Sequence, residues 1–154
     1  KSFFETRIHR TGTDRAPLGG IEAGGYRLFY VNRPSEALQA SEQVRENINL
    51  TFSIGLKLNP DGTIIDVLPE KAAAKAGIGP GMKIVGVNDR KYSIDVLREE
   101  IRNASKTGLL DLLVANGKSL LTYKLNYRDG EKYPVLERNG QAALLDEILK
   151  PLTR

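Results

Sequence analysis

The sequence contains no cysteine and no tryptophan, and it has one histidine and one methionine among its 154 residues. The lack of cysteine excludes disulfides and thiol catalysis, and it leaves both reducing and oxidising compartments open. A zinc site of the His-Glu-x-x-His kind needs two imidazoles, and His9 is the only one, so this chain cannot build that site. Because the chain opens at Lys1 and the one methionine is Met82, we expect the natural protein to extend further toward the N-terminus.

Long apolar runs are also lacking, so no segment is expected to span a membrane. Hydrophobic residues make up 40% and charged residues 27% of the chain, which is typical of a globular domain. The net charge is +4. The basic residues alternate with acidic ones, as in Arg98-Glu99-Glu100, so nucleic-acid binding is not expected. The sequence leaves the location open between periplasmic or exported and cytoplasmic.

The first part of the chain predicts one strand and one helix. Alternating residues from Tyr26 to Val31 are typical of a strand. Ser35 can cap a helix that runs from Glu36 to Arg45. We interpret this helix as part of a linker.

The following residues predict a β-hairpin. Phe52, Ile54, Leu56 and Leu58 alternate with small or polar residues, which is the period of a half-buried strand. Asn59-Pro60-Asp61-Gly62 predicts a turn, and residues 63–68 then supply the returning strand.

The rest of the core predicts two helices and further strands. A short alanine-rich helix over residues 70–76 ends at Gly77, and residues 83–87 form a strand. Ser93 caps a second helix over residues 94–104. Two runs, residues 109–115 and 119–127, are joined by Asn116-Gly117 as a second hairpin. This order predicts a small, partly open barrel with two helices packed on it.

Two stretches resemble the PDZ family. Ser53-Ile54-Gly55-Leu56 resembles the PDZ carboxylate-binding loop, and residues 72–88 resemble the bacterial PDZ signature of small residues, Ala-Gly, a glycine-rich turn and an Asn-ended strand. The resemblance implies an α+β fold, a PDZ-like partly open β-barrel with two packed helices plus N- and C-terminal extensions.

The loop of residues 53–56 indicates a peptide-binding site. Its successive backbone N–H groups can converge on a peptide carboxylate, and the strand after it can pair with the peptide, with the helix 94–104 as the other wall. The alternatives are a strand with one glycine at a bulge, or a PDZ-shaped packing element with a blocked groove. The predicted peptide-binding residues are Ser53, Ile54, Gly55, Leu56, Lys57, Leu58, Leu97, Arg98 and Ile101.

A narrower resemblance covers nearly the whole chain. Residues 25–28, 50–56 and 131–138, followed by 144–151, resemble the C-terminal end of glycyl aminopeptidase-like zinc metalloproteases. That family implies a thermolysin-like zinc peptidase domain upstream, so this chain itself would hold no catalytic residue, metal or cofactor. The implied division is residues 1–31 as the end of the upstream helical or catalytic region, 32–50 as a helical linker, 51–128 as the PDZ domain and 129–154 as an extension with a short helix at 144–149.

Several functions stay open at this point. The first is a peptide-binding PDZ module of a bacterial metalloprotease, which recognises a C-terminal or extended peptide and positions substrate for, or regulates, the attached aminopeptidase. The second is a structural domain that packs on its own upstream catalytic domain, with the groove closed or self-occupied. The third is a PDZ domain of another protease class, such as an exported serine protease. A hydrolase built on His9 is a further hypothesis, but a lone histidine in a basic stretch is more often a surface residue.

Overall fold

The structure is a computed structural model that describes residues 18–140. Contacts divide the chain into two units, one of residues 30–134 and another whose described parts are residues 18–29 and 135–140. The predictions for His9 and for the helix at 144–149 lie outside the described residues. The predicted boundaries at residues 51 and 128 stay a prediction.

Residues 18–140 form four helices and nine strands. The helices are α1 (Gly19–Ala23), α2 (Glu36–Arg45), α3 (Ala72–Lys75) and α4 (Ile94–Thr107). The strands are β1 (Tyr26–Val31), β2 (Ile48–Leu50), β3 (Leu56–Leu58), β4 (Ile64–Val67), β5 (Lys83–Val87), β6 (Arg90–Lys91), β7 (Leu109–Asn116), β8 (Ser119–Asn126) and β9 (Tyr133–Arg138).

The strands form three open sheets, with the orders β1-β9, β2-β3-β4 and β6-β5-β7-β8. The predicted α+β class is therefore confirmed, and within the described part of the chain no sheet closes into a barrel. The predicted core order of hairpin, short helix, strand, second helix and second hairpin is also present.

Helix α4 supplies one wall of the core. It begins after Ser93, whose Oγ accepts a hydrogen bond from Val96 N at 3.2 Å, and it ends at Gly108, which has a φ of +78°. It runs three residues further than predicted, to Thr107. Its buried side carries Leu97, Ile101 and Ala104, which pack in one cluster with residues of β2, β3, β4, β5 and β7. Each fully buried leucine or isoleucine contributes about 1.5–3 kcal/mol.

Two local predictions were wrong. Residues 51–54 form a turn rather than the start of a strand, because the N–H groups of Ser53 and Gly55 both donate to Leu50 O, at 3.1 and 3.0 Å. The second hairpin turns at Gly117 and Lys118, one residue later than predicted, since Asn116 already pairs with Ser119.

Candidate functional site

The loop of residues 51–55 uses its backbone groups inside the fold. Gly55 N donates to Leu50 O at 3.0 Å, and Gly55 O accepts from Leu68 N at 2.8 Å. Ile54 O accepts from Ala73 N at 3.0 Å. The Ile54 side chain is completely buried. The loop is therefore hydrogen-bonded to β2, to Leu68 directly after β4, and to α3.

Strand β3 is paired along both of its edges. On one side β2 pairs with it antiparallel, with Ile48 opposite Leu58 and Leu50 opposite Leu56. On the other side β4 pairs with it, also antiparallel. The chain's own residues 48–50 therefore occupy the edge of β3 that was predicted to pair with a peptide, which is the self-occupied arrangement named as an alternative.

Strand β2 was missed because its three residues fall within the predicted linker. One signal was present in the sequence, since the apolar alternation that includes Phe52 and Ile54 already begins at Ile48 and Leu50. Both of these side chains are buried, at 7% and 0% exposure. The strand is therefore part of the core and not a loosely attached segment.

The structure brings together most of the predicted peptide-binding residues, but inside the core. Ile54, Leu56, Leu58, Leu97 and Ile101 are all fully buried members of one cluster. Ser53 is 1% exposed. Lys57 lies between Asn49 of β2 and Asp66 of β4. Peptide binding by these residues stays a prediction.

A cleft of about 1120 Å³ lies between α2 and α4. Of the nine predicted site residues, Arg98 is the one that lines it. Its lining mixes apolar residues such as Ile48 and Ile94 with charged ones. This volume slightly exceeds the roughly 300–1,000 Å³ that is typical of small-molecule sites.

Four charged side chains form a network along this cleft. Arg98 Nη2 donates to Glu42 Oε2 at 2.9 Å, and Glu42 Oε1 accepts from Asn49 N at 2.7 Å. Arg98 Nε lies 3.9 Å from Glu131 Oε1, and Arg102 Nη1 donates to Glu131 Oε2 at 2.6 Å. The network joins α2, β2, α4 and the segment before β9.

The Glu131 side chain is only 2% exposed, so its charge needs partners. Tyr133 adds a third contact, because its hydroxyl donates to Glu131 Oε1 at 2.8 Å. Burial, together with that hydrogen bond, raises the pKa of Tyr133 above its usual value. The Arg98 guanidinium also lies 6.0 Å from the Tyr133 ring centroid, within cation–π distance.

Sequence reasoning did not find Glu42, Asn49, Arg102 or Glu131 as site residues. They come from separate parts of the chain, and no local spacing links them. Among residues 18–140, no group of three or more His, Asp or Glu side chains is arranged to hold a metal ion. The same residues contain no helix long and apolar enough to cross a membrane.

Comparison with known proteins finds matches among solved structures only. Neither a scan against protein-family models nor a search of curated proteins finds a match. A crystal structure of an aminopeptidase N family protein from Idiomarina loihiensis is similar with a TM-score of 0.54 and 15% identity, over 89% of this chain and 24% of that chain. A crystal structure of the HtrA3 PDZ domain bound to the phage-derived ligand FGRWV aligns with a TM-score of 0.37 and 19% identity, over 73% of this chain and 92% of that one.

The chain shares a fold with part of the aminopeptidase N family protein. It spans about a quarter of that protein's length. At 15% identity this likeness concerns the fold and leaves activity to be argued from the residues.

Proposed function

We propose that this chain is a non-catalytic, PDZ-type interaction module of a larger zinc peptidase, and that its own strand β2 occupies its peptide groove. One observation carries the proposal. Residues 48–50 lie antiparallel along the outer edge of β3, where a PDZ-type module would add a peptide as an extra strand. In this arrangement residues 48–50 fill the groove that a peptide would otherwise occupy.

The burial of β2 makes this occupation hard to reverse. Ile48 and Leu50 are nearly or fully buried, so they stabilise the strand's position by about 1.5–3 kcal/mol each. A peptide that takes the place of β2 must offset that loss before it gains net affinity. We therefore favour a structural role, in which the module packs on its attached catalytic domain, over the capture of free peptides at β3.

Two observations support attachment to a peptidase. Residues 25–28, 50–56 and 131–138 resemble the end of glycyl aminopeptidase-like metalloproteases. The chain also shares a fold with part of a longer aminopeptidase N family protein. In this proposal the zinc ion and the catalytic residues belong to the upstream domain, which is also the partner of the module.

Titration of the chain with a library of C-terminal peptides tests the closed groove, with the amide signals of Ile54, Gly55 and Leu56 followed by NMR. We expect no saturable shift in the wild type. Ile48→Ala should loosen β2 and allow shifts to appear. Ile65→Ala, at a residue of β4 that is 41% exposed, is the matched control and should behave as the wild type. Saturable shifts of the three amides in the wild type would overturn the closed groove.

The peptidase assignment has a separate test. The reading frame upstream of Lys1 should encode a His-Glu-x-x-His motif. A frame without two such histidines would remove the zinc peptidase from the proposal and leave the interaction module in place.

A further inference from the structure

The Glu42 carboxylate lies between two donors that belong to other elements. Its Oε1 accepts from the backbone N–H of Asn49 on β2 at 2.7 Å, and its Oε2 accepts from Arg98 Nη2 on α4 at 2.9 Å. The side chains of Glu42 and Arg98 are 13% and 17% exposed. A backbone N–H and a guanidinium that face one carboxylate give two charge-assisted hydrogen bonds, which are stronger than those between neutral groups.

The two donors are held by the core. Asn49 lies between Ile48 and Leu50, and Arg98 follows Leu97, and these three apolar neighbours are nearly or fully buried. The backbone at both donors is therefore held in place whether or not Glu42 is between them.

The acceptor is held much less firmly. Helix α2, which carries Glu42, has no buried residue, and its Val44 is 85% exposed. A ten-residue helix is marginal in water unless packing stabilises it. An element with so little buried apolar surface is expected to open at low free-energy cost.

Arg98 has donor capacity left for another ligand. Its Nε is buried and has no hydrogen-bond partner within the described residues. Glu131 Oε1 lies 3.9 Å from this nitrogen, beyond hydrogen-bond distance, and Glu131 already accepts from Arg102 and Tyr133. A ligand carboxylate that reaches Arg98 could take this free N–H as well as the one that Glu42 now uses.

The cleft supplies space beside Arg98 and Glu42, which both line it. It opens between α2 and α4 and has apolar lining at Ile48, Ile94 and Pro60. Its volume of about 1120 Å³ leaves room for a ligand group beside Arg98.

We propose that Asn49 N–H and Arg98 form a carboxylate-binding site for a peptide, and that Glu42 occupies this site from within the chain. The peptide carboxylate displaces Glu42, and α2 moves away while β2 and α4 keep their positions. The site lies on the far side of β2 from β3, so it remains available although the groove at β3 is closed. It rests on the proposed function in that the chain is taken to be an interaction module, and it adds a peptide site apart from the closed groove.

The test is an NMR titration of the Asn49 amide with acetyl-Gly-Ala-Val-Leu, compared with the same peptide as its C-terminal amide. Glu42→Ala should bind the free acid at least tenfold more tightly than the wild type does, because the internal competitor is gone. Arg98→Met in the Glu42→Ala background should abolish that gain. Glu36→Ala, which removes the same charge from the first turn of α2, should bind as the wild type does.

The ligand carboxylate can come from a peptide C-terminus or from an acidic side chain, and a third peptide, acetyl-Gly-Glu-Ala-Gly-amide, distinguishes these two sources. Binding of the free acid alone assigns the site to a C-terminus, and binding of the third peptide as well assigns it to acidic side chains too. Should Glu42→Ala fail to fold, Glu42→Gln keeps an acceptor for Asn49 N–H, removes the charge, and should show the same gain in smaller measure.

The site proposal is wrong if folded Glu42→Ala or Glu42→Gln binds neither carboxylate peptide more tightly than the wild type. It is equally wrong if the C-terminal amide binds as well as the free acid. These results are read at Asn49, whereas the closed groove is read at Ile54, Gly55 and Leu56, so the two proposals can fail separately.

Discussion

Ser53 and Lys132 are joined by a pair of hydrogen bonds, although 79 positions separate them in the sequence. Lys132 N donates to Ser53 Oγ at 3.0 Å, and the Ser53 hydroxyl donates to Lys132 O at 3.4 Å. The contact attaches the loop of residues 51–55 to the segment that carries Glu131. Ser53 therefore serves the chain itself at the position where the sequence predicted a contact with peptide.

Replacing this hydroxyl should destabilise the fold. Ser53→Ala leaves Lys132 N without its acceptor in a site where residue 53 is 1% exposed, so we expect the free energy of unfolding to fall by about 1–3 kcal/mol. Urea denaturation measures it. Ser119→Ala, at an exposed residue of β8, should stay within about 0.5 kcal/mol of the wild type. Equal losses in the two variants would show that the Ser53 contact contributes nothing specific.

Gly55 is required by both its backbone angle and its surroundings. Its φ is +87°, and a Cβ placed there would overlap Lys71 Cβ, which is next to the backbone and cannot swing away. Gly81 has a similar φ of +83°, but no atom lies within 4 Å of its Cβ position.

Alanine substitutions at these two glycines separate the cost of backbone strain from the cost of steric overlap. Gly81→Ala should cost about 1–2 kcal/mol through the left-handed backbone alone. Gly55→Ala should cost about 1–3 kcal/mol more, because the extra methyl has no room. Thermal or urea unfolding of both variants gives the difference. A Gly55→Ala variant no less stable than Gly81→Ala would contradict the close packing of the loop on Lys71.

How much the sequence could predict depends on how local each interaction is. Helix α2 begins and ends where predicted, because the Ser35 cap is a contact within one turn, from Leu38 N to Ser35 Oγ at 3.2 Å. Strand β2 was not predicted, since three residues carry little periodicity and the strand is defined by its pairing with β3. The Glu42–Arg98 pair spans 56 positions. No rule of sequence spacing relates residues so far apart, so this part of the site could be found only from the structure.

Tyr92 has a buried hydroxyl with no hydrogen-bond partner among the described residues. Such a group costs free energy, so Tyr92→Phe should leave the free energy of unfolding unchanged or raise it by up to about 1 kcal/mol. Tyr127→Phe is the matched comparison, because the Tyr127 hydroxyl donates to Gly130 O at 2.6 Å. It should lose about 1 kcal/mol. A clear loss in Tyr92→Phe would mean that its hydroxyl does have a partner in solution.

The stabilities of the wild type and of Tyr92→Phe should also diverge at high pH. Burial, with a smaller contribution from the charge of Asp61, raises its pKa from 10.0 to about 12. Because the folded-state pKa lies above the unfolded one, the native state favours the neutral hydroxyl. The wild type's stability is therefore unaffected by this group's ionisation below pH 10, and it falls as the pH rises through about 12. The gap between Tyr92→Phe and the wild type should therefore widen in favour of the variant over that range, as measured by urea denaturation at each pH.

Asp61 makes the stability of the fold depend on pH at the acidic end. Its Oδ2 accepts from Lys83 Nζ at 2.8 Å and from Thr63 Oγ1 at 3.0 Å, and its Oδ1 accepts from Thr63 N at 3.0 Å. The hydrogen bond from Lys83, followed by those from Thr63, lowers the pKa of Asp61 from 3.8 to about 2. The folded-state pKa is depressed, so the stability that Asp61 contributes is present above about pH 4 and is lost as the pH falls through about 2.

Asp61→Asn keeps an oxygen for Thr63 N but loses the charge that faces Lys83. The wild type should be more stable than this variant at neutral pH, and the difference should shrink steadily between pH 4 and pH 2. Lys83→Met should show the same trend, and the double variant should add little, because the two single changes break one interaction. Since both side chains are about half exposed, 0.5 M NaCl should reduce the difference at pH 7. A difference that stays constant down to pH 2 would mean that Asp61 acts through the turn and not through its charge.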